Sequence, residues 1–229
     1  MDLNPTKLDY YEDMWKLHSK ATVVSYSKGN DGKEVLILEN TIFHPQGGGQ
    51  PADTGVITTT DTVDDSDFKF VVQDVRSKDG VVHHYGFVEN SGGQSESKFE
   101  VGKEVFLYVD ESRRKLNARP FVEYKGKADP KQIESKLKEL EIEANTLISK
   151  GGKVFAAVLP YGEASEICGG SLPDYIPKDS TPRIVKLGET PAYPCGGTHV
   201  YDISDITSIT VSHIRTKKGL TKIFYNVGA

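Results

Sequence analysis

The chain has 229 residues, 37% hydrophobic and 27% charged, an ordinary balance for a soluble globular protein with one large domain or two small ones. No apolar run approaches the roughly 20 residues that a membrane-spanning helix needs. The stretch Met1 to Trp15 lacks the apolar core of a signal peptide, and two cysteines, Cys168 and Cys195, speak against a disulfide scaffold and point to a reducing, cytoplasmic setting.

The net charge of -5 argues against a generally basic nucleic-acid binder, but the charge is uneven. Residues 1–109 carry 10 Lys/Arg against 18 Asp/Glu, and residues 110–229 carry 18 against 15. Any RNA partner should therefore find its phosphate contacts mainly in the second half. A merely solvated surface with uneven charge would look the same.

In chain order, Ala21–Tyr26 and Glu34–Glu39 are short runs rich in β-branched and apolar residues. The turn formers Lys28-Gly29-Asn30-Asp31-Gly32 lie between them, which predicts a hairpin. Phe68–Val75, Val81–Val88 and Glu104–Val109 continue the strand pattern, with the turn signal Asp79-Gly80 between the first two. Thr58–Asp67 and Asn90–Ser97 are polar loops. Short strands with frequent turns predict a small barrel or sandwich. A domain boundary is expected near Val109–Glu111.

The second half is mixed. Its strongest helix is predicted from Pro130 to about Lys150, with Asp129 as N-cap and Pro130 in the first turn. Ile133, Leu137, Leu140, Ala144, Leu147 and Ile148 form its apolar stripe, and Gly151-Gly152 stop it. A strand at Val154–Leu159, a short helix at Glu163–Ile167 and a strand at Arg183–Leu187 follow. Ser208–Arg215 and Leu220–Val227, joined by Thr216-Lys217-Lys218-Gly219, make a terminal hairpin. The expected fold class is α+β: a small β-barrel-like domain over 1–109, then an α+β domain over 110–229.

Two stretches carry chemistry. Cys195-Gly196-Gly197-Thr198-His199 places a thiolate and an imidazole four positions apart across a glycine turn, where both can face one zinc ion. A core cysteine beside a chance histidine is the plainer alternative. Phe43-His44-Pro45-Gln46-Gly47-Gly48-Gly49-Gln50-Pro51-Ala52-Asp53-Thr54-Gly55 is dense in glycine. Its bare backbone can approach a ligand and offer N–H groups to phosphate or carboxylate oxygens. No Gly-Lys-Ser/Thr follows, so it is no Walker loop, and a tight turn between strands remains the alternative.

Together these stretches resemble the alanyl-tRNA editing family, often called AlaX, and the editing domain of alanyl-tRNA synthetase. Gly47 to Gly55 looks like the family's N-terminal motif and Cys195 to Val200 like its C-terminal metal motif. Val109-Asp110-Glu111-Ser112-Arg113-Arg114-Lys115-Leu116-Asn117-Ala118-Arg119 looks like the lead into the editing domain. Phe121 to Gly126, the helix after it and Arg215 to Gly219 also match. The resemblance implies hydrolysis of mischarged alanine tRNA carrying serine or glycine, with the tRNA met mainly by the C-terminal half. It implies a zinc ion held by an H-x-x-x-H helix together with Cys195 and His199, which would stabilise charge on the attacked carbonyl. It also implies Gly47, Gly48, Gly49, Gln50, Asp53 and Thr198 as substrate-binding residues. It assigns no catalytic acid or base.

The H-x-x-x-H pair is missing: no such spacing occurs anywhere in the sequence. The resemblance stops at Arg119 and resumes at Pro120, with about thirty family residues absent, some three to eight helical turns' worth of chain. Cys195 and His199 alone fall short of the roughly three or four ligands zinc needs. Among possible surrogates His44 ranks first, though its His-Pro setting looks structural. His83 and His84 alternate faces of a strand, so at most one points inward. Cys168 suits a small apolar position, and His18 and His213 suit surface or packing roles. Three functions compete: a zinc-dependent trans-editing hydrolase, a relative that binds tRNA or a protein partner without hydrolysis, and an unrelated β-barrel binding module. For the junction, the expectation is a Cα separation at Arg119–Pro120 well beyond the roughly 3.8 Å of a trans peptide; a shortened domain with a direct join is the alternative.

Overall fold

Along strand β2 (His18–Lys28), Ser19, Ala21 and Val23 turn inward while His18 and Lys20 face water. This period of two is what a half-buried strand requires. The computed structural model describes residues 3–29, 32–63, 68–90, 99–115, 121–126, 129 and 133–228. It divides into two units, Met1–Leu116 and Asn117–Ala229.

In the first unit β1 (Lys7–Leu8) pairs in parallel with β4 (Asn40–Thr41). The strands β2, β3 (Glu34–Leu38), β5 (Gly55–Thr58), β6 (Phe68–Lys78), β7 (Val81–Asn90) and β8 (Glu104–Val109) close into a barrel in the order β2-β3-β7-β6-β5-β8. Leu36, Ile57, Phe70 and Leu107 are wholly buried in its core. Asp79 (φ 52°) and Gly80 (φ 79°) form the two-residue turn between β6 and β7, and positive φ at both positions suits the right-handed twist of the strands. Gly86 permits the tightest crossing, since a Cβ there would lie 1.8 Å from the Val71 carbonyl oxygen.

The predicted strands are present, and the fold is α+β with a barrel-like first unit. The sequence pattern does not reveal β5, four residues directly after the glycine run, which joins β6 to β8 and closes the barrel. The helix α1 (Glu111–Lys115) falls in the first unit rather than beyond the boundary expected near Val109–Glu111. Its arginines are tied down there: Arg113 Nε donates to the Ala52 carbonyl at 3.0 Å.

The second unit contains two antiparallel sheets among its described residues. In one, β10 (Val154–Val158), β11 (Arg183–Leu187) and β12 (Tyr193–Pro194) lie in the order β10-β11-β12. In the other, β13 (Ile209–Lys217) and β14 (Leu220–Val227) form the expected hairpin, and β9 (Phe121–Lys125) adds a third strand along β14. In the sequence the stretch of β9 stands out only as a motif, not as a strand. Lys218 (φ 51°) and Gly219 (φ 79°) form the hairpin turn. Helix α2 runs Ile133–Lys150 and α3 Tyr161–Ile167.

The stripe expected on α2 needs one correction. Leu147 is 41% exposed, while the polar Glu141 and Asn145 are half-buried. Both are used by β13: Glu141 Oε2 accepts the Val211 N–H at 2.9 Å, and the Asn145 amide exchanges two hydrogen bonds with the Ile209 backbone. The helix therefore docks on this strand through hydrogen bonds as well as apolar contact, which period counting does not detect. Pro130, expected in the first turn of α2, lies outside the described residues, as do Arg119 and Pro120 and with them the expected separation at that junction.

Candidate functional site

In the first unit the glycine run folds as a tight turn. Gly47 and Gln50 exchange backbone hydrogen bonds of 3.1 and 2.9 Å across Gly48 (φ 56°) and Gly49 (φ 89°). Positive φ at both central positions explains the glycines. Gln46 to Gly49 are exposed, and a Cβ at Gly48 or Gly49 would meet nothing within 4 Å, so the tip is open to an approaching ligand.

Asp53 sits beneath this turn, 1% exposed. Its Oδ2 accepts the His44 N–H at 2.6 Å and receives Arg114 Nη2 at 2.6 Å and Nε at 3.2 Å. Arg114 also donates to the carbonyls of Ile42 at 2.5 Å and Met14 at 2.9 Å. A buried carboxylate–guanidinium pair with its donors directed at fixed acceptors rigidifies whatever it ties. Here it ties both limbs of the glycine loop to α1 and to the N-terminal segment. Asp53 therefore positions the loop from below. His44 is buried, with its ring edge-on to Tyr10 at 5.4 Å.

In the second unit β12 delivers the chain to Cys195 beside the head of β11, where the Cys195 N–H donates to the Arg183 carbonyl at 3.1 Å. Arg183, 5% exposed, returns Nη1 to the carbonyls of Cys195 at 2.6 Å and Gly197 at 2.9 Å. The turn so formed brings Cys195 Sγ to 3.3 Å from His199 Nε2. Two tetrahedral zinc ligands at about 2.3 Å (S) and 2.0 Å (N) would lie about 3.5 Å apart, so the pair has the bite of a half-site. Thr198 is half-buried within the same turn.

The donor set is nevertheless short for zinc. Among the described residues no group of three or more His, Cys, Asp or Glu is placed to hold a metal ion. Beyond Leu116 the sequence contains one further histidine and one further cysteine. His213 stacks on Phe224, centroids 4.2 Å apart. Cys168 packs against Ala164, Leu172, Ile184 and Ala192, and burial pushes its thiol up, away from the thiolate a metal prefers. Among the described residues the donors therefore fit half of a zinc site, not a whole one.

Two of the remaining histidines have structural settings. His84 is wholly buried inside the barrel, within 2.9 Å of Thr41 Oγ1 and 3.0 Å of the Leu36 carbonyl, and burial lowers its pKa to about 4. His18 stacks on Tyr108 at 4.4 Å. Sequence reasoning does not single out Arg183, nor Arg114 beyond its place in a motif. Both act through carbonyls distant in sequence, and no local pattern reveals such partners.

Residues 4–113 match the family model of class II (A) tRNA synthetases. Over 96% of its length the chain is 28% identical to the alanyl-tRNA editing protein AlaX-L of Pyrococcus horikoshii, of which it covers 57%. It is 27% identical to the alanine–tRNA ligase of Methanosarcina mazei over 99% of the chain and 26% of the ligase. It is 29% identical to that of Halobacterium salinarum over the whole chain and 27% of the ligase. The chain thus spans about half the length of the editing protein and about a quarter of the ligases. The Halobacterium alignment runs over 257 positions against 229 residues, so at least 28 positions of that ligase have no counterpart here. The resemblance to the alanyl-tRNA editing proteins holds along nearly the whole chain, and it sets aside an unrelated barrel module.

Proposed function

We propose that this chain serves alanyl-tRNA editing: it engages alanine tRNA mischarged with serine or glycine, in the manner of a zinc-type aminoacyl-ester hydrolase. The observation that carries this reading is the Cys195–His199 pair, held at 3.3 Å by Arg183 in a relative of alanyl-tRNA editing proteins. The open glycine turn over Asp53 supports it, since bare backbone lets an aminoacyl end approach closely. tRNA is the partner, met mainly through the C-terminal half, and the cytoplasm is the setting.

The short donor set favours a second reading on its own observation. Two ligands do not make the three-ligand site with an open position that a hydrolytic zinc requires. A chain with Cys195 and His199 alone binds the tRNA without releasing the amino acid. One experiment separates the readings: seryl-tRNA and alanyl-tRNA of the same alanine acceptor are incubated with the chain and zinc, and both binding and ester loss are followed. Release of serine much faster than alanine supports the hydrolase. Binding without release selects the second reading. Equal release of both amino acids, or no binding of either tRNA, overturns the proposal.

A further inference from the structure

The outer face of the β13–β14–β9 sheet is built against its own electrostatic interest. Cross-strand partners share a face and alternate residues return to it. Arg215 lies directly opposite Lys222, and Lys217 opposite Leu220. Leu220 is in turn opposite Lys125 on β9. Lys218 stands in the adjoining hairpin turn. Like charges directly opposite one another destabilise a sheet; Arg215 and Lys222 are such a pair, and Lys217 and Lys125 add cations on either side of Leu220. Glu123, opposite Lys222 and 3.2 Å from its Nζ, offsets one of them. A groove of about 460 Å³ lies over this face, bounded by the cations Arg215, Lys217, Lys218 and Lys222 together with Glu123 and Leu220. Phe224 also lines it and stacks face to face on its cross-strand partner His213, 4.2 Å between centroids and 8° between planes.

We propose that this face is the docking surface for the RNA backbone, with the cations bonding successive phosphates and the His213–Phe224 pair offering a plane to one base. This rests on the editing reading for the identity of the partner, and on charge complementarity for the place. A polyanion threading the row would relieve the repulsion that the sheet carries when alone. A basic track with an aromatic platform is the arrangement that single-stranded nucleic acid favours. The chain as a whole is acidic, at -5, so the concentration here is local and does not follow from general basicity.

The two components separate in solution. Cations bonded to phosphates release counterions, so removing one such cation lowers the slope of log affinity against log salt by about 0.7 to 0.9. Stacking leaves that slope unchanged. The test titrates the full chain with an uncharged alanine-acceptor tRNA at several salt concentrations, which makes hydrolysis irrelevant. The triple variant Arg215→Ala/Lys217→Ala/Lys222→Ala should bind at least about 10-fold more weakly and lose about two units of slope. His213→Ala should weaken binding several-fold with the slope intact. Lys33→Ala/Lys103→Ala, exposed cations of the first unit, should change neither. If the triple variant misfolds by circular dichroism, Lys218→Glu in the exposed turn serves in its place, with an expected loss of about 5-fold.

Wild-type binding with unchanged affinity and slope in these variants would overturn this surface while leaving the editing reading in place. Absence of tRNA binding by the wild type would overturn both. Anionic vesicles of phosphatidylserine competing as well as tRNA, and equally weakened by the substitutions, would overturn the RNA assignment and make the face a general polyanion surface.

Discussion

The glycine loop of the first unit and the cysteine–histidine loop of the second are held in the same way and finished to different degrees. Each hangs from one buried arginine that grips main-chain carbonyls: Arg114 takes those of Ile42 and Met14, and Arg183 those of Cys195 and Gly197. Beneath the glycine loop the guanidinium also meets the Asp53 carboxylate, so the charge is paired within the unit. In the other loop the pair it presents, Cys195 and His199, face each other at 3.3 Å without the further donors, among the described residues, that zinc needs. The first loop is complete as a structure; the second is complete only as a support. In each loop the residues that hold the backbone, Arg114 and Arg183, are distinct from those the loop presents.

The largest effect is expected where the circuit is closed. Arg114→Ala leaves the 1%-exposed Asp53 with an unpaired buried charge, and breaking such a pair costs about 3–5 kcal/mol. Urea unfolding of the barrel should show it; a loss under about 1 kcal/mol, the range of solvated surface pairs, would mean that the pair is hydrated and the loop is held by other means.

The barrel side of the comparison also carries a pH signature. His84 is neutral when folded, with its pKa lowered from 6.5 to about 4 by burial. Below 6.5 the unfolded chain takes up a proton that the folded chain refuses. Stability therefore falls as pH drops from 6.5 to about 4 and levels off below, by up to about 3 kcal/mol. The stability difference between wild type and His84→Gln, followed across that window, should display this slope. A difference independent of pH would show that His84 accepts its proton in place.

Arg183→Ala should have a smaller and local effect, about 2 kcal/mol from the removal of two charge-assisted hydrogen bonds to main-chain carbonyls. Faster alkylation of the Cys195 thiol, with the barrel's unfolding unchanged, would confirm that this arginine holds the metal-motif loop. Unchanged alkylation would break the parallel with Arg114.

Much of this contrast can be read in the sequence and some of it cannot. Alternation along β2, the Asp79-Gly80 and Lys218-Gly219 turns and the glycine stop of α2 are local rules written in adjacent residues. The want of a histidine pair is equally plain, because it is a matter of counting. β5 escapes because four residues after a glycine run give alternation too little length. β9 escapes because it is only five residues long and its apolar alternates, Val122 and Tyr124, stay exposed, so no buried face marks the period. Spacing puts Leu147 on the buried stripe of α2 because it cannot foresee that Glu141 and Asn145 are bonded to β13. The two arginines escape most completely, since each finds its acceptors only when the strands are assembled.

The central claim is that Cys195 and His199 form half of a zinc site. The direct measurement is the zinc content of the purified 229-residue chain, by elemental analysis after equilibration with zinc at micromolar concentration and removal of the excess. The account predicts well under one zinc per chain. One zinc per chain, lost in Cys195→Ala, would contradict it and require further ligands in this protein.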